Sequence, residues 1–377
     1  WQRRESLPVI YEAEMAADLI VPLQVQVPAQ ATLSFRTVVP GGVGLSHIKT
    51  AVNVVATSTV RTISPNSTHN GPRLSGILQE ILRREEGFGG TLVFVSETAG
   101  CAFRLGQTVG GAGVGAEGDW GGDAPEVSDD EIRERKRRNL SAILRDNPET
   151  DLKPNELPVT ASALTMQSPL TDVPFAVELI QRLQQQEGIA EETEAAHRWL
   201  QQYVEVALPG FLTLLSRYGI GLEGHQQNSI MVFHQGRPVR MIQRDFGGVR
   251  ISRRRLEAQG LLPDLYPGSM TLVDDEDEMR GKLFHAVYQG QIGELILTLA
   301  RHYGIDDRLF WRHVYTVSHR VFAELKQDPA IHDQAAEDET ALFADKLSLK
   351  ALTRMRLDLP CANRQYTLEK VPNPLVR

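Results

Sequence analysis

The sequence predicts an α+β fold in which an antiparallel, β-rich domain precedes a largely helical domain that carries a β-hairpin. Strand-like apolar runs fill residues 19–64, helical apolar spacing dominates residues 282–326, and two short apolar runs joined by a turn occupy residues 229–242. We therefore divide the chain into a β-rich domain, residues 1–197, and a mostly helical domain, residues 198–377.

Two strands are predicted near the start of the chain, at residues 19–27 and 31–39, with Pro28 between them. In the second strand Ser34 and Arg36 share one face, because side chains alternate along a strand. A hydroxyl and a guanidinium on one rigid face suit the binding of a phosphate. The same pattern also fits an exposed strand face with incidental polar residues.

The segment 47–64 has the strongest strand pattern and carries Lys49 and Arg61 on one polar, basic face. In one straight strand these two residues would lie roughly 40 Å apart, at about 3.3 Å per residue. Either the strand breaks near residues 56–59, or Lys49 and Arg61 contact different parts of an extended ligand. A solvated strand face is the alternative, although few acidic partners accompany it.

Helices and loops account for most of the remaining chain. Residues 65–72 are rich in turn formers and are predicted as a loop, whereas residues 91–95 are predicted as a strand. The Gly-rich stretch 106–123 lacks the Gly-Lys-Ser/Thr of a phosphate loop, so it is predicted as an ordinary loop. The acidic run 274–278 is predicted to begin a helix in solvent. Helical periodicity predicts helices at residues 73–84, 131–144, 176–185, 192–207, 211–218, 282–326 and 341–357.

A predicted hairpin organises the polar residues that most suggest a functional site. Residues 229–233 and 239–242 are apolar runs that flank a turn containing Gly and Pro, so they are predicted to pair as strands. The hairpin brings five polar residues to one end: Glu223, His225, Asn228, Arg244 and Asp245.

The residue types at this end of the hairpin favour anion and metal binding. Carboxylate and amide oxygens are the ligands that Mg²⁺ prefers, and a histidine and an arginine suit a phosphate or a carboxylate. Gly247 and Gly248 would let the backbone pass close to a ligand. A surface hairpin with incidental polar ends is the alternative.

The composition limits the classes of function. The 377 residues are 41% hydrophobic and 23% charged, which is typical of a globular protein with two domains. The net charge of -8 and the absence of a long apolar run in the sequence argue against nucleic acid and membranes as partners. Cys101 and Cys361 have no metal-ligand spacing around them, so we expect a reducing, cytoplasmic compartment.

Seven short motifs follow one another along the chain. They are SFRT from Ser34, HIK from His47, TSTVRTIS from Thr57, HNGP from His69, EGHQQN from Glu223, RDFGG from Arg244, and KALTRMRL from Lys350 with a later NPL. In this order they resemble the NRPS-independent siderophore synthetases of the aerobactin-synthetase type. The resemblance implies a cupped-hand fold of thumb, fingers and palm, in which residues 1–197 are fingers-like and residues 198–377 are palm-like.

The same resemblance implies a reaction and a set of roles. ATP and Mg²⁺ would adenylate a carboxylate, of citrate or of a citrate or succinate derivative, which then condenses with an amine or alcohol. The residues that match nucleotide-binding positions are Ser34, Arg36, Thr37, Lys49, Gln227 and Asn228. Those that match carboxylate-binding positions are Thr57, Arg61 and His225, and those that match metal positions are Glu223, Asn228 and Asp245. Lys49, Arg61 and His225 would stabilise the charge that develops on the phosphates, so they are the predicted catalytic residues.

The family's N-terminal thumb has no counterpart in the sequence, because SFRT lies close to the first residue, Trp1. We therefore expect the fingers and palm of a longer protein, which would act with a thumb segment and as a homodimer.

Two other classes of function stay open at this stage. A kinase-like phosphotransferase would also use a polar loop, a hairpin and an Asp-Phe-Gly turn, but Gln226 and Gln227 stand where its catalytic Asp would precede Asn228. A non-catalytic nucleotide- or citrate-binding remnant would bind without turnover. Release of AMP and pyrophosphate would identify the synthetase, and release of ADP the kinase.

Overall fold

The structure is a computed structural model that describes residues 8–42, 44–52, 54–56, 59–103, 129–351, 353 and 368–376. It divides into two compact units: unit 1 comprises Trp1–Pro72 and Glu97–Asp146, and unit 2 comprises Arg73–Ser96 and Asn147–Arg377. The boundary predicted after residue 197 lies within a helix of unit 2, and the fingers-like and palm-like ranges stay a prediction. The Gly-rich stretch 106–123 lies outside the described residues.

The secondary structure mixes short strands with longer helices. The strands are β1 Ala29–Ala31, β2 Thr37–Pro40, β3 His47–Thr50, β4 Val55–Ala56, β5 Thr59–Val60, β6 Leu92–Phe94, β7 Glu97–Ala102, β8 Ser141–Arg145, β9 Glu156–Thr160, β10 Ile220–Gly221, β11 Ser229–His234, β12 Arg237–Gln243, β13 Arg250–Ser252, β14 Leu272–Val273, β15 Lys346–Lys350 and β16 Leu368–Pro372. The α-helices are α1 Glu12–Ala16, α2 Pro65–Arg84, α3 Asp129–Asn139, α4 Ala161–Leu164, α5 Phe175–Glu187, α6 Glu192–Tyr218, α7 Arg253–Ala258, α8 Glu276–Leu283, α9 Glu294–Tyr303, α10 Asp307–Leu325 and α11 His332–Leu342. A π-helix, Phe284–Gly293, joins α8 to α9, and 3₁₀ turns occur at Glu86–Gly90 and Pro374–Val376.

Unit 1 is built on a five-stranded antiparallel sheet of order β1-β2-β3-β8-β7. The first turns of α2 lie against this sheet. Gly100 in β7 makes the close approach possible, because a Cβ there would stand 2.1 Å from the carbonyl oxygen of Thr68. Ala51, Ile63 and Ile143 form the small apolar core of this unit.

The two strands predicted at the start of the chain are wrong. Residues 21–28 form no strand and are exposed, since no neighbouring strand pairs with them. The run 31–39 is a hairpin of β1 and β2 rather than one strand. Its turn is closed by hydrogen bonds from Thr32 N to Thr37 O at 2.8 Å and from Phe35 N to Thr32 O at 2.8 Å. Ser34 and Arg36 therefore lie in a turn and do not share a strand face.

The segment 47–64 is not one strand, and it breaks near residues 56–59, as one of the two sequence-based alternatives required. Strand β4 reverses and pairs with β5, with Val55 opposite Val60 and Ala56 opposite Thr59. Just below this pair, Val52 N donates to Arg61 O at 3.0 Å. The chain therefore turns back and brings Arg61 near the end of β3, the strand that contains Lys49. Lys49 and Arg61 are not separated by the roughly 40 Å that one straight strand would require.

Two helix predictions in unit 1 also change. Helix α2 begins at Pro65 rather than after Pro72, because proline suits the first helical position and the Ser64 hydroxyl accepts a hydrogen bond from Ser67 N at 3.1 Å. The helix predicted at 131–144 ends at Asn139, since the next residues pair with two neighbouring strands as β8.

Unit 2 has the main hydrophobic core, and helix α6 runs through it. Tryptophan Trp199 is fully buried, stacks on Phe233 of the hairpin at 5.8 Å between ring centroids, and donates to Gly236 O at 2.9 Å. The hairpin itself belongs to a four-stranded sheet of order β6-β12-β11-β9. The predicted hairpin is confirmed. Trp199 of α6 holds its turn in place through the contacts with Phe233 and Gly236.

Three predictions about helices in unit 2 need correction. Residues 192–218 form one helix rather than two, because the packed core on α6 outweighs the single hydrogen bond that Pro209 cannot donate. The helix predicted at 341–357 is also wrong: α11 ends at Leu342, and β15 then pairs with β16. Its alternation of Leu347 with polar neighbours fits a strand. The acidic run begins α8, yet Glu276 is not left in solvent, because it pairs with the buried guanidinium of Arg255.

Two histidines join α6 to α10 and give a pH prediction. His197 Nδ1 lies 3.1 Å from His313 Nε2, so one nitrogen must donate and the other accept. Burial lowers the pKa of both rings from the usual 6.5. The unfolded chain therefore binds more protons below about pH 6.5, and we expect stability to fall as the pH drops through that value.

The variant His313→Gln keeps a polar partner that does not titrate. Urea unfolding at pH 7.5 and pH 5.5 should show a smaller loss of unfolding free energy in this variant than in the wild type. The exposed His332→Gln serves as the control, and equal losses in all three proteins would contradict the prediction.

Candidate functional site

The open end of the β11–β12 hairpin carries the candidate site of unit 2. Ser229 pairs with Gln243 at the last position of the ladder, and Arg244 N donates to Asn228 O at 3.1 Å just beyond it. The loop before β11 and the loop after β12 therefore leave from the same end of the hairpin, as predicted. At the other end, Gln235 and Gly236 have φ values of 52° and 83°, which close a tight turn.

The loop 223–228 is fixed by hydrogen bonds to its own backbone and ring. Asn228 N and Ser229 N both donate to His225 O, at 2.9 and 3.1 Å, and Asn228 Nδ2 donates to Glu223 O at 3.1 Å. Gln227 N lies 3.3 Å from His225 Nδ1 and donates to it, so the neutral ring carries its proton on Nε2. His225 Nε2 is thus the ring atom that can donate to a ligand.

The charges around His225 are mixed. Burial lowers the pKa of His225 below its usual value, against the opposing effect of Glu223 and Asp245, so the ring is neutral near pH 7. Asp245 is half-buried and has φ of 66°, a left-handed conformation that asparagine and aspartate adopt more readily than other side chains. This conformation places Asp245 at the start of the second loop with its charge close enough to act on His225.

Glu223 is held by Lys282 rather than left open to solvent. Lys282 Nζ lies 2.6 Å from Glu223 Oε1, and the lysine side chain is only 6% exposed. Burial by itself would raise the pKa of Glu223, but Lys282, with His225 and Lys350, outweighs it, so the pKa lies below its usual value. Gly248 makes room for this arrangement, because a Cβ there would stand 1.7 Å from Glu223 Oε2.

A buried polar chain supports the loop from beneath. Gln243 Nε2 donates to Ser229 Oγ at 2.7 Å, and Ser229 Oγ lies 3.0 Å from Gln291 Oε1. Gln291 Nε2 in turn donates to Tyr203 OH at 2.7 Å. All four residues are at least 98% buried, so their hydrogen bonds fix the hairpin end relative to α6 and the π-helix.

The sequence analysis missed two lysines and a histidine that lie near Glu223 but outside the hairpin. We call Lys282, His285 and Lys350 the basic corner: the first lies in the last turn of α8, the second lies in the π-helix and the third ends β15. All three interact electrostatically with Glu223. A signal for Lys282 was present in the sequence, because the lysine follows Met279 by three residues and therefore lies on the apolar face of the helix. Lys350 belonged to a noted motif that was assigned no role.

Most of the other predicted site residues lie in unit 1, on β2 and β3, in the turn before β2 and in the segment after β5. Ser34 Oγ donates to Thr37 Oγ1 at 2.9 Å, and Thr37 pairs with Lys49 across β2 and β3. Arg36 Nη1 donates at 2.7 Å to the carbonyl oxygen of Thr62, the residue after Arg61. Lys49 is 5% exposed and Thr37 is 1% exposed, whereas Ser34, Arg36 and Arg61 are half-buried. Thr57 lies outside the described residues.

The contacts of Arg244 and Glu223 bear on the roles that the sequence analysis suggested for them, anion binding for Arg244 and metal binding for Glu223. Arg244 points its guanidinium at the loop backbone, since Nη2 donates to Gln227 O at 2.9 Å, and it therefore braces the loop. For Mg²⁺, Asn228 and Asp245 are suitable oxygen donors, while Glu223 shares one oxygen with Lys282. The part of the chain that the structure describes holds no group of three or more His, Cys, Asp or Glu side chains placed for a metal ion. These residues fit Mg²⁺ only together with phosphate oxygens, which is the usual mode for this ion.

Among the residues that the structure describes, no helix is both long enough and apolar enough to cross a membrane.

Comparison with known proteins gives two family matches. The model of the IucA / IucC family matches residues 1–166, and the model named "Ferric iron reductase FhuF-like transporter" matches residues 197–364. The D-ornithine–citrate ligase of Staphylococcus aureus is 29% identical over 390 residues, covering 100% of this chain and 56% of that protein. The chain thus spans about half the length of the curated relatives that it matches.

Two solved structures share the fold. The petrobactin biosynthesis protein AsbB from Bacillus anthracis superposes with a TM-score of 0.77 at 20% identity, covering 97% of this chain and 56% of that chain. An ATP-bound aerobactin synthetase IucA from Klebsiella pneumoniae gives a TM-score of 0.74 at 19% identity, covering 97% and 58%. These matches confirm the predicted α+β class with antiparallel sheets.

Proposed function

We propose that this chain, which is similar to the IucA / IucC family over residues 1–166, is an NRPS-independent siderophore synthetase and carries the ATP-dependent ligase activity of a siderophore pathway. A carboxylate oxygen of citrate, or of a citrate or succinate derivative, bonds to the α-phosphorus of ATP as pyrophosphate leaves. An amine or alcohol then displaces AMP to form an amide or ester. The curated relative named as a citrate ligase and the fold shared with an ATP-bound synthetase support this proposal.

One structural observation carries the proposal: His225 lies among Glu223, Asp245 and the lysines of the basic corner, at the end of a hairpin fixed by buried hydrogen bonds. Both reactants are anions, so their approach requires neutralising charge that is already in place. The Lys282 ammonium supplies positive charge, and the neutral ring of His225 supplies an Nε2–H donor that hydrogen bonds hold in place. We therefore propose that the protein positions the carboxylate next to ATP and compensates the negative charge of both.

The proposed roles follow the resemblance and the contacts. We assign Ser34, Arg36, Thr37, Lys49, Gln227 and Asn228 to the nucleotide. Thr57, Arg61 and His225 are assigned to the reacting carboxylate, with His225 Nε2 as the donor. Asp245 and Asn228 are assigned to Mg²⁺, which supplies Lewis-acid neutralisation of the phosphate charge. Glu223 is assigned to the metal as well, and its Oε1 also binds Lys282. A thumb segment, a homodimer and a cytoplasmic location belong to the same proposal.

Product analysis tests the reaction. With ATP, Mg²⁺, citrate and a panel of diamines and amino acids, we expect AMP and pyrophosphate to accumulate together. ADP with a phosphorylated product would instead identify the kinase-like alternative, which the Gln226-Gln227 pair before Asn228 disfavours. Binding of ATP and citrate without any product would identify the non-catalytic alternative.

The two basic residues of unit 1 should have separable effects. We expect Lys49→Met to weaken chiefly the binding of ATP, and Arg61→Ala to weaken chiefly the binding of citrate, because a planar guanidinium can hold both oxygens of a carboxylate. Losing such a charge-assisted contact lowers affinity by about tenfold to a hundredfold. Calorimetric titration with an ATP analogue and with citrate measures both effects. The exposed Arg83→Ala is the control, and an Arg61→Ala protein with normal citrate affinity and impaired ATP affinity would reverse the assignment.

A further inference from the structure

The two loops of the candidate site are anchored at both of their ends. At one end they leave the β11–β12 hairpin, and at the other they join β10 and β13, which pair through Gly221 and Arg250. The first loop begins after Gly221, and the second loop ends at Arg250. The position of the β10–β13 pair therefore influences where Glu223 and Asp245 lie.

Helix α8 packs against this pair of strands. A Cβ on Gly221 would stand 2.2 Å from the carbonyl oxygen of Met279, so the strand and the helix backbone are in close contact. Glu278 Oε1 lies 2.6 Å from Arg250 Nε. The lysine that binds Glu223 lies on the same helix. A shift of α8 would therefore move the ends of both loops.

Buried ion pairs hold α8 from its opposite side. Glu276 and Arg280 point away from Glu278, because successive residues of an α-helix are about 100° apart. Glu276 Oε2 lies 2.6 Å from Arg255 Nη2 in α7, and Arg280 Nε lies 2.7 Å from Asp338 Oδ1 in α11. Arg255 Nη1 in turn lies 2.6 Å from Asp338 Oδ2. We call Glu276, Arg280, Arg255 and Asp338 the ion network, and it joins three helices.

The ion network is deeply buried and well supplied with hydrogen bonds. The side chains of Arg255 and Asp338 are 0% exposed, and Ser216 of α6 donates to Asp338 Oδ2 at 2.8 Å. Burial by itself would raise the pKa of Glu276, but Arg255 and the hydroxyl of Ser252 outweigh it and lower the pKa to about 2. Replacing such a network by apolar residues often leaves stability unchanged or raises it, so its stability contribution is a weak explanation for it.

We propose that the ion network positions the loops of the candidate site through α8, and that Glu276 and Asp338 are positioning residues for the metal and the reacting carboxylate. The inference rests on the proposed function, in which Asp245 and His225 contact those two ligands. A planar guanidinium binds a carboxylate in a restricted geometry, so the network fixes the direction of α8 as well as its distance from α7 and α11. Without the network, α8 keeps its apolar packing but can shift against β10 and β13.

Hydrogen–deuterium exchange of the protein without ligands tests the positioning directly. In Glu276→Gln, which keeps the size of the side chain, we expect peptides that cover residues 222–228 and 244–250 to exchange at least about fivefold faster than in the wild type. Calorimetric titration with Mg²⁺ and a non-hydrolysable ATP analogue should show an apparent Mg²⁺ affinity about tenfold lower, because the oxygen ligands are no longer held in place.

Asp338→Asn should show the same two changes. The Glu276 side chain is 14% exposed, so its replacement disturbs the core less than a change at the fully buried Asp338. Glu276→Gln therefore decides the test if Asp338→Asn does not fold.

Two exposed carboxylates give matched controls. Asp277 lies on the same helix as Glu276 and binds Arg280 at 3.0 Å, and Glu337 lies next to Asp338 and binds Arg280 at 3.2 Å. Asp277→Asn and Glu337→Gln should match the wild type in both measurements.

A third control separates positioning from stability. Leu183 in α5 belongs to the hydrophobic core, and Leu183→Ala should lower the unfolding midpoint through the cavity that it leaves. It should change neither the exchange of the two loops nor the Mg²⁺ affinity. The same two changes in Leu183→Ala would overturn the inference, because they would then follow from lost stability alone. Wild-type loop exchange in Glu276→Gln would overturn it as well.

Failure of the proposed function has a different signature, because the exchange measurement needs no ligand. Faster loop exchange in Glu276→Gln, without release of AMP and pyrophosphate by the wild type in any reaction, would contradict the ligase and leave the positioning role standing. Turnover by the wild type, with Glu276→Gln identical in kcat and in Mg²⁺ dependence, would contradict the positioning role and leave the ligase standing.

Discussion

Replacing Asp245 with asparagine is expected to lower the release of AMP and pyrophosphate by at least about a hundredfold, since one preorganised charge commonly supplies that factor. The carboxylate is assigned to Mg²⁺ and acts on His225, and the amide removes its charge while keeping its size. Asparagine also tolerates the φ of 66° at this position, whereas alanine would add backbone strain to the loss of charge. Initial rates and thermal unfolding midpoints measure the two effects separately.

Asp172→Asn is the control for this prediction. Asp172 also has a left-handed backbone, with φ of 63°, but it is exposed and lies in the loop between α4 and α5. We expect its activity and its unfolding midpoint to match the wild type. If Asp245→Asn is folded and releases pyrophosphate at the wild-type rate, the assignment of Asp245 to the metal is wrong.

The variant Gly248→Ala should damage the site through a single methyl group. The new Cβ would stand 1.7 Å from Glu223 Oε2 and 2.6 Å from its Cδ, so the carboxylate must move. Moving it separates Glu223 from Lys282, whose side chain is only 6% exposed. We expect a loss of about 1–3 kcal/mol of stability and at least a tenfold loss of citrate-dependent turnover.

Two further variants show whether the collision is the cause. Gly281→Ala lies in helix α8 with no atom within 4 Å of its new Cβ, so it should stabilise the protein slightly, by about 0.5–1 kcal/mol. In a Glu223→Ala background the obstruction is gone, and Gly248→Ala should add little further loss. Additive losses in the double variant would contradict this explanation.

The hairpin and its polar end were predictable because the signal is local. Apolar runs on either side of Gly236 specify two paired strands, and pairing two strands necessarily joins the loops at their open end. Glu223, His225, Asn228 and Asp245 are therefore close in the structure for the reason that the sequence suggested. The resemblance to a known family added roles that spacing alone does not supply.

The parts that sequence reasoning missed depend on contacts between distant segments. Whether residues 31–39 run straight or turn back depends on the hydrogen bonds of Thr32 with Thr37, and β-branched residues suit both outcomes. Likewise Lys282 and Lys350 lie far apart in the chain, and their shared relation to Glu223 arises because α8 and β15 both contact the π-helix 284–293. Periodicity also misplaced β15 in a helix, because KLSLK continues into a sequence with helical spacing.

The π-helix 284–293 also sets the rotational phase of everything that follows it in unit 2. An α-helix turns side chains by about 100° per residue, and the wider i to i+5 turns of a π-helix accommodate residues that α-helical winding would rotate out of register. Before the segment, Leu283 faces the core; after it, Leu295 and Leu299 do so again. Deleting one residue would rotate α9 by about 100° relative to α8 and expose that apolar face. The number of residues in this segment is therefore constrained by the candidate site and by the hydrophobic core. We expect insertions and deletions to be tolerated better at Gly304, in the loop between α9 and α10.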